Sequence, residues 1–99
     1  MTKHTITEAE LELLRKLADA ASPPPWRSMI EGRDHYSGDN FIMIGREDDR
    51  DEDLYLHRDS GLAGTADHDF IAAARNYIES LLDEIDRLRG ALERQKPAT

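Results

Sequence analysis

Apolar residues in this chain fall into two helical stripes with three short apolar runs between them. In the last third, Ile71, Ala74, Ile78, Leu81, Ile85, Leu88 and Leu92 stand at alternating steps of 3 and 4. That is the repeat of a heptad seam on one long helix, expected over residues 67–95. Near the start, Leu11, Leu14, Ala18 and Ala21 repeat at the same steps, with Leu13 and Leu17 widening the stripe. This predicts an amphipathic helix over residues 7–21. Thr7 and Glu10 have the spacing of a capping box, and Ile6 and Leu11 flank it as a hydrophobic staple. Ser22, Pro23, Pro24 and Pro25 end the helix, because proline lacks the backbone donor and restricts the residue before it.

Three runs between the helices read as strands: Trp26 to Ile30, the fully apolar Phe41 to Ile44, and the alternating Leu54 to Arg58. Phe41 to Ile44 is expected to be covered on both faces. The stretches 31–40 and 45–53 are rich in Gly, Asp, Asn and Ser or in charge, and read as loops, as does Ser60 to Gly64. Short consecutive strands are most simply antiparallel. The expectation is one α+β domain over residues 1–99, in the order α-β-β-β-α, with a three-stranded antiparallel sheet within residues 26–58. Residues 96–99 form a frayed tail.

The long seam admits two partners. Written as a heptad, Ile71, Ile78, Ile85 and Leu92 take position a, and Ala74, Leu81 and Leu88 take position d, a pattern that favours a parallel two-stranded coiled coil. Glu84 and Arg89 would then face each other across the dimer. Against this, Phe70 and Leu82 widen the stripe in its first half, as they would if that half covered the chain's own sheet. The reading that accommodates both packs Phe70 to Leu82 on the sheet and leaves Ile85 to Leu92 for another helix, either that of a second copy or the chain's own first helix. Ile78, Leu81, Ile85, Leu88 and Leu92 are the candidate self-association residues, and a homodimer is expected.

Composition narrows the function. Ninety-nine residues carry 13 basic and 21 acidic side chains, a formal net charge of −8, which disfavours direct nucleic-acid binding and anionic membrane surfaces. Acidity instead suits solubility or a basic protein partner. There is no cysteine, so disulfides and thiolate metal sites are excluded. Neither a membrane-length apolar run nor a secretory signal segment is present, and the expected location is the cytoplasm.

Candidate chemistry is sparse. His4, His35, His57 and His68 are scattered without the paired helical spacing of a zinc protease. His57, Arg58 and Asp59 spell the kinase catalytic tripeptide, in a chain too short for that fold. Asp49, Asp51 and Asp53 open like a calcium loop, but Leu54 stands where that loop needs glycine and Ser60 where it needs a bidentate glutamate. Gly61 to Thr65 precedes a helix without the lysine of a phosphate loop, and Thr65 or Asp67 is expected to cap that helix. No catalytic residue, cofactor or metal is assigned. Asp48, Asp49, Asp51, Glu52 and Asp53 are candidate contacts for a basic partner. Trp26 is expected to plug the sheet where the first helix ends, and with Arg75 and Asn76 it is a candidate ligand contact.

Two segments carry a family likeness. Ala20-Ala21-Ser22-Pro23-Pro24-Pro25-Trp26 resembles the "A-T-P-G-P-W" that follows a first helix in many small phage and prophage proteins. Asp67 to Asn76, DHDFIAAARN, resembles their "D-A-x-F-I-A-A-A-R", and Leu81 to Leu88, LLDEIDRL, their "L-L-x-E-I-x-R-L". The chain is therefore similar at its two ends to the Ead-like early-region proteins of tailed phages, with Pro24 where that family usually has glycine. The resemblance implies a phage or prophage origin and a non-enzymatic accessory role, and it brings no catalytic residues. The function expected is macromolecular binding, with an acidic inhibitor of a nucleic-acid-binding enzyme as a special case. The alternative is a small-ligand or nucleotide-binding protein, or a minimal enzyme, with a cleft between sheet and terminal helix that holds Trp26, His57, Arg75 and Asn76 together.

Overall fold

The computed structural model describes residues 5–95; His4 and the tail from Lys96 lie outside them. Helix α1 spans Glu8–Ala20 and helix α2 Thr65–Gln95. Between them run β1 (Trp26–Met29), β2 (Phe41–Arg46), β3 (Asp49–Arg50), β4 (His57–Arg58) and β5 (Gly61–Leu62). The arrangement is α+β, with β1-β2-β3 as a three-stranded antiparallel sheet and β4-β5 as a separate two-stranded ribbon.

The start of α1 follows its sequence. The Thr7 hydroxyl accepts from the Glu10 amide at 3.1 Å and the Glu10 carboxylate accepts from the Thr7 amide at 2.9 Å, the reciprocal capping box. The helix stops at the proline run, where the Pro24–Pro25 bond is cis.

In the sheet, Trp26 pairs with Ile44 and Met29 with Phe41. Ile42, Met43 and Ile44 are all buried. Successive strand residues point to opposite faces, so β2 is covered on both sides as its apolar run predicts. The third strand differs from the expected one. Arg46 pairs with Asp49 and Gly45 with Arg50, so the acidic stretch folds back as a hairpin around Glu47 and Asp48. Leu54 makes only an isolated bridge to Ile42, and His57–Arg58 leaves to pair with Gly61–Leu62. Gly45 is the residue that allows the tight return. Its φ is +90°, and a Cβ there would stand 2.5 Å from the Asp49 carbonyl oxygen.

Helix α2 begins at Thr65, two residues before the expected start, and its 31 residues extend about 46 Å. Its buried residues are His68, Ala72, Arg75 and Leu82. This inner line is displaced from the expected seam. Ile71, Ile78 and Ile85 are half-buried, whereas Ala74, Leu81, Leu88 and Leu92 are exposed. Phe70, expected on the sheet, is 72% exposed. The molecule is long: its Cα radius of gyration is 17.9 Å, against about 13 Å for a compact chain of this size. Its accessible surface is 7799 Å², where a compact protein of equal mass exposes about 5,700 Å².

Candidate functional site

Arginines fasten the two helices. Glu8 pairs with Arg89, whose guanidinium also donates to the Ile6 carbonyl at 3.2 Å. Arg15 reaches Asp83 at 3.0 Å and Asp86 at 2.6 Å. Arg75, buried in α2, donates through Nε to the Ser22 carbonyl and through Nη2 to the Ala18 carbonyl, both at 3.0 Å. The Ala18 carbonyl lies in the last turn of α1 and Ser22 just beyond its cap; that turn has no basic residue of its own, so Arg75 supplies the cation that a helix C-terminus favours. Leu11, Ala18 and Leu82 fill the interval between the helices. The contacts run from Glu8 with Arg89 to Ser22 with Arg75, so the helices are antiparallel.

The sheet is tied to α2 by Asn76, which accepts from the Trp26 amide and donates to the Trp26 carbonyl, both at 2.7 Å. The Trp26 indole donates to the Ser22 carbonyl at 3.1 Å. Trp26, Arg75 and Asn76 therefore come together, with their polar atoms engaged at the joint between α1, β1 and α2. His57 is elsewhere. It lines a shallow recess of about 420 Å³ with Leu56, Arg58, Ala63, Asp67, Phe70 and Ile71, where Arg58 faces Asp67 at 3.6 Å. The four residues expected around one cleft are divided between these two places.

A third tie joins Arg33 to Asp69 through two hydrogen bonds of 2.9 Å. The guanidinium holds the Asp69 carboxyl down at about 2. Asp34 is also held low, first by the Ile30 amide and then by Arg33. His68 is fully buried; its Nδ1 donates to the Gly64 carbonyl at 2.8 Å, and its Nε2 has no hydrogen-bond partner. Among the described residues no group of three or more His, Asp or Glu side chains could hold a metal ion, and no helix is long and apolar enough to cross a membrane.

The acidic hairpin presents Asp48, Asp49, Asp51 and Glu52 to solvent. Asp53 is engaged by Arg50 at 2.6 Å, and Glu47 lies 3.9 Å from Arg27. Arginines thus stand among the carboxylates here, as they do on α2.

The remaining feature is an apolar face that both helices share. Arg15, Asp83 and Asp86 mark one flank of the helix pair. Helical geometry then puts Leu13, Leu14 and Leu17 of α1 on the opposite flank, with Ala74, Ile78, Leu81, Ile85, Leu88 and Leu92 of α2. Phe70 and Tyr77 continue it. Seven of these residues, Leu13, Leu17, Phe70, Tyr77, Leu81, Leu88 and Leu92, are each more than half exposed. Together they offer on the order of 700 Å² of apolar surface, beyond the largest patch of a typical monomer.

The heptad signal found this face but misplaced its neighbours. Leu82, expected to help cover the sheet, is buried between the helices, and Arg89 is bonded to Glu8 of α1 and to the Ile6 carbonyl before it. Glu84, expected to meet Arg89 across a dimer, instead accepts from Arg87 of its own helix at 3.0 Å. No protein-family model, curated protein or solved structure matches this chain, so the likeness to Ead-like proteins rests on the segments quoted above.

Proposed function

We propose that this is a non-enzymatic interaction protein that works as a homodimer, closing the apolar α1–α2 face on a second copy. One observation carries the reading: in a chain with 34% charged residues, seven large apolar side chains, each more than half exposed, share one flank. Depletion of charge around apolar and aromatic side chains is the composition of an interface core. The exposed area is close to the roughly 800 Å² per partner of a standard specific interface.

The dimer leaves the hairpin carboxylates of Asp48, Asp49, Asp51 and Glu52 free for a basic protein, and the resemblance to Ead-like proteins supports an accessory role of the phage or prophage type. Inhibition by mimicry of a phosphate backbone draws less support, because Arg27, Arg50 and Arg15 interrupt the row of carboxylates that it would need. The cleft reading draws less again, since Trp26 and Asn76 are bonded to each other.

Sedimentation velocity over a concentration series tests the proposal. The parent chain is expected to sediment as a dimer and Leu81→Asp as a folded monomer. A parent that stays monomeric at every concentration overturns it.

A further inference from the structure

The outer stripe of α2 has an internal symmetry about Leu81. Its outermost members are Phe70, Ala74, Tyr77, Leu81, Ile85, Leu88 and Leu92, at steps of 4, 3, 4, 4, 3 and 4; half-buried Ile78 is the exception, since the position that mirrors it about Leu81 is Glu84. Counting outward from Leu81, the positions 4, 7 and 11 residues away are apolar in both directions. A two-fold interface brings the same patch of two copies together, and a patch with this spacing meets itself when the two helices run antiparallel. Leu88 of one copy then stands opposite Ala74 of the other, a large residue opposite a small one. Ile85 stands opposite Tyr77, and Leu92 opposite Phe70 at the mouth of the recess formed with Leu56, Ala63 and Ile71.

The exposed aromatics of α2 favour the same direction. α1 lies beside the middle of α2, from the level of Arg75 to that of Arg89, so a two-fold axis at Leu81 passes close to its midpoint, and its Leu13 and Leu17 are exposed. Phe70 and Tyr77 are exposed in the N-terminal half of α2. In a parallel pair each of these aromatics would stand beside its own copy. In an antiparallel pair each meets an aliphatic residue of the partner instead, Phe70 meeting Leu92 and Tyr77 meeting Ile85.

We infer that the α1–α2 face docks on a second copy with the two α2 helices antiparallel about a two-fold axis at Leu81, the two α1 helices lying on either side of that axis. This rests on the homodimer reading above and specifies its geometry.

The chain has no cysteine, so single cysteines report the geometry without background. Leu81→Cys is expected to form a disulfide-linked dimer under mild oxidation. Leu88→Cys and Ala74→Cys are each expected to resist self-coupling, because their partners lie about 21 Å apart, fourteen residues of helix rise, against the 4.4–6.8 Å that a disulfide spans between Cα atoms. Mixed together, one carrying a size tag, they are expected to couple to each other. Lys16→Cys, on the charged flank, controls for random collision. Self-coupling of Leu88→Cys as complete as that of Leu81→Cys means a parallel pair and overturns the geometry, while the homodimer survives in sedimentation. Coupling at none of the three positions above the Lys16→Cys control overturns the geometry as well, and a parent that also sediments as a monomer overturns the homodimer with it.

Discussion

The two flanks of α2 reverse the usual assignment of polar and apolar residues. The inner flank holds His68, Ala72, Arg75 and Leu82, of which two are polar and one is small. The outer flank holds Phe70, Tyr77, Leu81, Leu88 and Leu92, each more than half exposed. An isolated domain gains stability by the opposite arrangement. The inner flank succeeds through directed bonds: Arg75 satisfies the Ala18 and Ser22 carbonyls at the end of α1, and Asn76, just beyond that flank, clamps β1. The outer flank gains nothing within one copy. One flank of this helix serves the fold, and on the homodimer proposal the other serves a partner.

This comparison is most strongly tested on the inner side. Leu82 is 2% exposed between the helices, so Leu82→Ala is expected to cost about 3 kcal/mol in chemical denaturation. Arg75→Ala removes charged hydrogen bonds to two carbonyls and is expected to cost about 2 kcal/mol. If that variant were as stable as the parent, the polar inner flank would not be what holds α1.

The ion pair of Arg33 and Asp69 gives a pH-dependent version of the test. Asp69 has its carboxyl lowered in the folded chain to about 2 from an ordinary 3.8. Its stabilising contribution is therefore complete above about 4 and is lost as pH falls toward about 2. Acid unfolding of Asp69→Asn is expected to be shallower than that of the parent across this window, with the two curves separated at neutral pH.

The outer flank predicts the smallest effect on the fold. At concentrations low enough to dissociate a dimer, Leu88→Ser is expected to change stability by less than about 0.5 kcal/mol. At high concentration the same variant is expected to be the less stable, because only the parent gains from association. Equal stability at both concentrations would remove the outer flank from any interface.

The same contrast explains what was legible in the sequence. The capping box at Thr7 and Glu10, the proline stop and the doubly covered β2 each depend on residues within a few positions of one another, and each was readable. The third strand was misplaced because β3 has two charged residues and shows no alternation, whereas Leu54 to Arg58 shows alternation but is divided between a single bridge and the ribbon. The inner flank of α2 was missed because periodicity takes apolar positions as inward, and here His68 and Arg75 face in. The one available signal was Leu82, an apolar residue just off the heptad line. Arg75 and Asn76 read as candidate ligand contacts rather than as ties within the fold because their partners, the carbonyls of Ala18, Ser22 and Trp26, are backbone groups that side-chain patterns do not reveal.

Solution accessibility of the leucine methyl groups tests the central claim most directly. With a soluble paramagnetic agent added at high protein concentration, the methyls of Leu81, Leu88 and Leu92 are expected to be shielded nearly as well as those of buried Leu82, and in Leu81→Asp the remaining outer methyls are expected to become accessible while Leu82 stays protected. Outer methyls bleached equally in parent and variant would show that this flank faces water, and would contradict the account.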